Sequence, residues 1–233
     1  MLLKLLRCLA PLPLACMTLL AQGASAPGVI VSQDNPTWVH VVRPPTIVTP
    51  AVIPDVSKLY TIYSNLGSKT DAYDDQNGPY VNGPDSGQGN LQWIAVPFAP
   101  RQNAVVTKIE VPLEYGGAGT NAVTISLNED LDGLPGKAIH TWNLTNLPVW
   151  PSCCTLDVAR DTKGLKVNKG VSYWVVARTN ANTKTTIDNW AYVYNDYPGY
   201  YAFSQGRKSW QGPGWHPIYF PLPAFAVFGK KTN

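Results

Sequence analysis

The fold class is decided by the stretch Val105-Val106-Thr107-Lys108-Ile109-Glu110-Val111-Pro112-Leu113-Glu114-Tyr115. Apolar residues occupy most of its odd positions and charged residues occupy even ones, and a period of two is typical of a strand with one buried face. We therefore expect Lys108, Glu110 and Glu114 to lie on a solvated face. Pro112 falls on the same face and indicates an edge or a bulge, because proline cannot donate to a strand ladder.

Short segments of the same kind continue along the chain from about Tyr60. After a glycine-rich turn, Val123, Ile125 and Leu127 alternate with polar residues. Residues 171–179 are apolar on both faces, as expected of a central strand. Further strands are predicted over residues 138–144, 190–194, 200–203 and 224–228.

These strands recur at intervals of roughly 8–15 residues, with Gly, Asn and Pro in the turns and no convincing helix. The pattern predicts an all-β fold, a jelly-roll-like antiparallel β-sandwich over residues 59–233. Just over 200 residues can bury roughly 70% of their surface, so the core needs no metal or disulfide scaffold.

Residues 1–26 have the layout of a secretory signal peptide. Lys4 and Arg7 precede an apolar stretch, and small residues follow it, with cleavage expected after Gly23 or after Ala26. We therefore expect a secreted or periplasmic protein without a membrane span. Loss of these two positive charges lowers the formal net charge from +3 to about +1. Without a basic patch, nucleic acid is not expected as a partner.

Residues 27–58 are rich in proline, which disfavours a helix and removes ladder donors. We interpret this segment as an extended Pro-rich N-terminal arm. One short edge pairing is expected around residues 38–41. The apolar residues of the arm indicate that part of it lies on a surface.

Two adjacent cysteines, Cys153 and Cys154, are the only ones outside the predicted signal peptide. Neighbouring Cα atoms are about 3.8 Å apart across a trans peptide and about 2.9 Å across a cis one, whereas most disulfides span roughly 4.4–6.8 Å. A bond between them would fix one loop tip and expose an apolar sulfur face. The alternative is two free thiols that point in opposite directions. Redox catalysis is not expected, because exchange catalysts use Cys-x-x-Cys.

Several of these stretches together resemble the secreted bacterial choice-of-anchor R domain. The similarity covers roughly residues 60–229, and its most distinctive parts are Cys153-Cys154 and the strand that contains Tyr173-Trp174. Its other parts are residues 106–111, 121–127, 133–136 and 223–229. The resemblance implies a jelly-roll-like extracellular domain and no particular activity.

Catalytic chemistry is not expected. Glycoside hydrolysis needs two carboxyl groups roughly 5–10 Å apart, one of them in an apolar setting, and Glu110 and Glu114 are expected to be solvated. No Gly-x-Ser-x-Gly elbow is present. The histidines His40, His140 and His216 are scattered without metal-ligand spacing, and His140 is expected to pack beside Trp142.

The loop at residues 128–133 is rich in side-chain oxygens, as is the loop at 71–78. Such oxygens suit calcium, with Asp130 and Asp132 as candidate ligands. The alternative is that Asp and Asn occupy these loops because they tolerate turn geometry. No other cofactor is expected.

Residues 190–220 contain eleven aromatic residues. Large rings with a polar tip suit half-wet ligand faces such as sugars, although strands also pack aromatic residues in their cores. The candidates for ligand contact are Trp210, Trp215, Tyr197 and Tyr200.

Three functional hypotheses follow from these observations. The first is a secreted, non-catalytic β-sandwich that binds a glycan or an extracellular matrix component. The second is a structural or adhesive protein that assembles through its N-terminal arm by strand addition. The third is a polysaccharide-acting enzyme.

Overall fold

The computed structural model describes residues 29–31, 38–41, 59–160, 164–195, 197–206 and 213–232. The predicted signal peptide, most of the predicted arm and Trp210 lie outside these ranges. Every regular element within them is a β-strand, so no helix there is long and apolar enough to cross a membrane.

The described strands form two sheets in which all strand pairs are antiparallel. The larger sheet has eleven of them: β1 Val29–Val31, β2 Trp38–Val41, β4 Asn77–Asn82, β5 Gln92–Phe98, β7 Leu113–Ala118, β8 Ala122–Leu131, β9 Leu134–Thr145, β12 Tyr173–Arg178, β13 Ile187–Trp190, β14 Pro198–Gln205 and β15 Gly214–Pro221. The smaller sheet has five: β3 Tyr60–Ser64, β6 Ala104–Val111, β10 Asp157–Ala159, β11 Lys166–Val167 and β16 Ala226–Lys231. The predicted all-β sandwich is confirmed.

The strand β12 lies in the middle of the larger sheet, between β5 and β8. Tyr173 and Val175 belong to the main core, where the two sheets face each other. Trp174 and Val176 point the other way and form a small apolar cluster on what we call the outward face of the larger sheet. The prediction of a central strand, apolar on both faces, is confirmed.

The predicted strand through residues 105–115 is wrong as a single element. Pro112 ends β6 and separates it from β7, and the two strands belong to different sheets. The pairing of β6 with β16 also skips Thr107, so that Val106 and Ile109 both lie in the core although their positions differ in parity. The cause is a β-bulge, which adds one residue to a strand and exchanges its faces.

The solvated face predicted for this stretch is also wrong. Lys108, Glu110 and Glu114 are all buried. Lys108 forms an ion pair with Glu110, and its ammonium group lies 4.4 Å from the centre of the Phe228 ring. A buried charge is tolerated when a partner of opposite sign neutralises it.

The pairing predicted near residue 38 is present. Strands β1 and β2 form an antiparallel pair, and β2 pairs with β4 with Trp38 opposite Pro79 and His40 opposite Asn77. The N-terminal segment therefore extends the edge of the larger sheet.

Two buried tryptophans provide a matched test of core hydrogen bonding. Trp190 is 0% exposed, and its Nε1 donates to the Ala224 carbonyl at 2.7 Å. Trp142 is also buried and packs on His140, as predicted, with ring centroids 4.7 Å apart, but its Nε1 has no hydrogen-bond partner among the described residues.

We predict that Trp190→Phe lowers the free energy of unfolding more than Trp142→Phe does. Both changes remove the same atoms, but only the first leaves a buried carbonyl without its donor, which costs about 1–3 kcal/mol. Urea unfolding of the two variants measures the difference. Equal losses would show that the Trp190 hydrogen bond contributes nothing.

Candidate functional site

A row of residues crosses six strands on the outward face. Ser204 of β14 pairs with Trp93 of β5 on one side and with Trp215 of β15 on the other. Further along the sheet, Arg178 pairs with Thr124, which pairs with Asn143. Because Ala177 pairs with Ile94, the next residue of β12 lies opposite Trp93. This central row is, in order, Trp215, Ser204, Trp93, Arg178, Thr124 and Asn143.

The groove beside Trp93 has a volume of about 540 Å³, within the range of roughly 300–1,000 Å³ that is usual for small-molecule sites. We call it the sheet groove. Four residues of the central row line it together with Pro84, Leu91, Thr141, Thr179, Asn180, Ala181 and Lys184.

Hydrogen bonds hold the side chains of the sheet groove in place. The Nε1 of the half-buried Trp93 donates to Thr179 Oγ1 at 3.1 Å, which fixes the plane of the indole. Asn180 Nδ2 donates to Thr124 Oγ1 at 2.8 Å, and Thr124 Oγ1 donates in turn to Asn143 Oδ1 at 3.0 Å. A rigid aromatic ring therefore lies next to an ordered set of amide and hydroxyl groups.

The structure brings two of the predicted ligand residues to this face. Trp215 lies in the central row and packs, half-buried, against the small outward cluster that contains Trp174. Tyr200 is 68% exposed, and its ring centroid lies 4.8 Å from that of Tyr219, with which it pairs. Tyr197 is 72% exposed but precedes β14, so it does not join the face.

Sequence reasoning missed Trp93, Arg178 and Asn143. A usable signal was present in residues 92–98, where Trp93 alternates with the core residues Ile94 and Val96. That alternation would have placed the indole on the second face of a strand. No feature of the sequence near Trp93 indicates that this residue lies opposite Arg178.

The paired cysteines lie in the segment 150–155, which we call the cysteine loop. Cys153 and Cys154 are within disulfide-bonding distance, and the peptide between them is cis. The exposed sulfur face predicted for this pair is wrong for Cys154, whereas Cys153 is half-buried. Cys154 is only 3% exposed and packs in an apolar cluster with Tyr73, Ala191 and Val193.

The cysteine loop is held against the fold by two buried polar side chains. The Tyr73 hydroxyl lies 2.7 Å from the Ser152 carbonyl and accepts a hydrogen bond from Thr155 N at 2.9 Å. Glu114 Oε1 accepts a hydrogen bond from Ser152 N at 3.3 Å. Glu114, expected on a solvated strand, therefore anchors this loop from inside.

Two further carboxyl groups, the buried one of Asp188 and the half-buried one of Asp157, interact with each other. Asp188 is 0% exposed, and neither carboxyl oxygen has a hydrogen-bond partner among the described residues. Burial, together with the charge of Asp157, raises the pKa of Asp188 to about 8. Burial also raises the pKa of Asp157 to about 7, although backbone N–H groups oppose this change. A catalytic carboxylate must contact its substrate, and Asp188 presents no surface through which it could do so in this structure.

The proposed calcium ligands form a hairpin turn. Asp132 and Gly133 both have positive φ, 52° and 79°, as a type I′ turn requires. Asp130 Oδ1 accepts from Trp174 Nε1 at 2.6 Å, and its Oδ2 accepts from Gly133 N at 3.0 Å. In the part of the chain that is described, no three His, Cys, Asp or Glu side chains gather as a metal site. The aspartates therefore contribute to the turn, and calcium binding by this loop stays a prediction.

Comparisons with protein-family models, with curated proteins and with solved structures found no match to this chain. The resemblance to the choice-of-anchor R domain therefore stays a prediction.

We predict that Cys153 and Cys154 are bonded to each other in protein purified without reductant. Because Cys154 is buried, alkylation has to be carried out in denaturant and without reductant. Mass spectrometry should then show an unlabelled peptide that is two hydrogens lighter than the dithiol. Labelling of both sulfurs under these conditions would contradict the bond.

We also predict that the free energy of unfolding falls as the pH rises from about 4 to about 8. The folded-state pKa values of Asp157 and Asp188, about 7 and about 8, exceed the ordinary value of 3.8. In that window the folded state binds more protons than the unfolded state, so raising the pH favours unfolding.

The variant Asp188→Asn should flatten this fall, because the amide cannot ionise. Urea midpoints at about pH 5 and about pH 9 measure the effect. Asp85→Asn, in an exposed loop, is the control. A pH profile that Asp188→Asn leaves unchanged would refute the assignment.

Proposed function

We propose that this protein is a secreted, non-catalytic β-sandwich that binds a saccharide on the outward face of its larger sheet, with Trp93 as the stacking platform. The observation that carries the proposal is the central row, which places two indoles and a set of polar side chains on one face. Aromatic rings bind the apolar faces of sugars, and neighbouring amides bind their hydroxyl groups.

The side chains of the sheet groove are held in fixed positions, which supports a role in saccharide binding. The Trp93 ring is fixed through Thr179, and Thr124 and Asn143 are fixed through each other. Binding to side chains that are already ordered costs little conformational entropy. In contrast, the sulfur pair of the cysteine loop is half-buried to buried, and offers a ligand little surface.

The spacing of the aromatic rings on the outward face fits a chain of several sugar units. Trp93 and Trp215 are two strands apart, which corresponds to about 10 Å across the sheet. Tyr200 lies four residues from Ser204 along β14, or about 13 Å. A saccharide that follows the face can therefore contact more than one ring.

We predict that Trp93→Ala weakens saccharide binding by about 1–3 kcal/mol, because it removes the buried area of one stacked ring. Tyr197→Ala is the matched control, since this ring is also exposed but lies off the face. Calorimetric titration with the polysaccharides that bind the mature protein in a screen measures both. Equal affinities of Trp93→Ala and the wild type, or a larger loss in Tyr197→Ala, would place the site elsewhere.

Assembly through the arm is the second candidate function. The pairing of β2 with β4 favours it, because a strand that adds to an edge within one chain can also add to the same edge of a neighbouring molecule. Deletion of residues 27–58 separates the two candidates. Saccharide binding should survive the deletion, whereas strand-exchange assembly should be lost. Light scattering measures the assembly.

A further inference from the structure

We infer that the saccharide bound in the sheet groove is acidic, with a carboxylate or a sulfate group that contacts Arg178. This inference rests on the proposed function and specifies the chemistry of the same site. It follows from the charge, the hydrogen-bonding capacity and the register of the groove.

The charge of the groove is of one sign. Its lining contains Arg178 and Lys184 and no carboxylate. Neither cation takes part in a salt bridge with any described residue. The formal net charge of the whole chain is only +3, so two uncompensated cations in one groove are a local feature. A concave site of one sign concentrates ligands of the opposite sign.

The hydrogen-bonding groups that remain in the groove are mostly donors. The acceptor oxygens of Thr179, Asn143 and Thr124 already bind groups of the protein itself, and Asn180 Oδ1 accepts from a backbone N–H. The groups without a partner among the described residues are the guanidinium of Arg178, the ammonium of Lys184, the Asn143 Nδ2 group and the Thr141 hydroxyl, of which only the hydroxyl can also accept. A carboxylate or sulfate only accepts hydrogen bonds, whereas a sugar hydroxyl must also donate.

The register places these donors where a stacked sugar can reach them. Arg178 lies opposite Trp93 on the neighbouring strand, and the Cβ atoms of such pairs are about 4.5–5.5 Å apart. A pyranose on the indole therefore has its ring substituents beside the guanidinium. The planar guanidinium can bind a carboxylate or a sulfate through two parallel hydrogen bonds.

The test compares acidic and neutral forms of the same saccharide backbone. The first pair of probes is oligogalacturonate and its methyl ester, and the second is a sulfated galactan oligomer and its desulfated form. Calorimetry measures the affinity of the mature protein and of its variants for all four. The first pair reports on a carboxylate ligand and the second on a sulfate ligand.

We expect Arg178→Gln to weaken binding of an acidic probe about tenfold or more, the usual effect of losing a charged hydrogen bond. Lys184→Gln should have a smaller effect, because this side chain is exposed. Arg178→Lys should retain part of the affinity, since it keeps the charge without the planar fork. Lys230→Gln, an exposed charge on the smaller sheet, is the control and should bind as the wild type does. Thermal unfolding verifies that each variant is folded.

The outcomes separate this inference from the proposed function. Tighter binding of an acidic probe than of its neutral partner, lost in Arg178→Gln, supports both. A second outcome is that the neutral probes bind as tightly as the acidic ones, and that their binding is weakened by Trp93→Ala but not by Arg178→Gln. This outcome refutes the acidic ligand and leaves the saccharide site in place. If no probe binds, or if Trp93→Ala changes nothing, both are refuted.

Discussion

The rest of the sandwich depends on the requirement that β12 bury both of its faces at once. Tyr173 and Val175 fill the core between the sheets, while Trp174 and Val176 fill the small outward cluster. A slip of one residue would exchange these sets and direct Arg178 towards the core, so the register is strongly specified. The same register aligns β5, β8 and β9 with β12. The central row is a consequence of that alignment.

The outward face is divided into a covered part and an open part. Trp215 and Leu134 pack over the cluster around Trp174, and Asp130 binds the Trp174 indole from the hairpin turn. The apolar side chains of this cluster are thus shielded, while the groove beside Trp93 stays open. A half-wet surface of this kind, with an apolar ring beside polar groups, suits a ligand that has both kinds of surface.

Charge is used differently in the two parts of the molecule. In the interior, Asp188 and Asp157 resist ionisation because burial raises their pKa values, so they link the stability of the fold to pH. In the sheet groove the charged groups are an arginine and a lysine, and they lie on the outward face of the larger sheet.

The sequence by itself determined the class of fold and several local features, because each depends on residues that are close along the chain. Period-two alternation predicted the strands, the Asp132-Gly133 pair predicted a turn, and the adjacent cysteines allowed a bond for which the structure places the two sulfur atoms close enough. Of the aromatic residues named as candidates for ligand contact, Trp215 and Tyr200 lie on the outward face and Tyr197 lies off it, and their contact with a ligand stays a prediction.

Only the tertiary structure decided which faces are buried and which distant residues meet. The bulge at Thr107 depends on pairing with β16, and the burial of Glu114 depends on the position of the cysteine loop. The two strands that carry Trp93 and Arg178 are far apart in the chain, and their register follows from how both faces of β12 pack. A local pattern shows that a strand has two faces, but the partners on each face are set by the packing of the whole sheet.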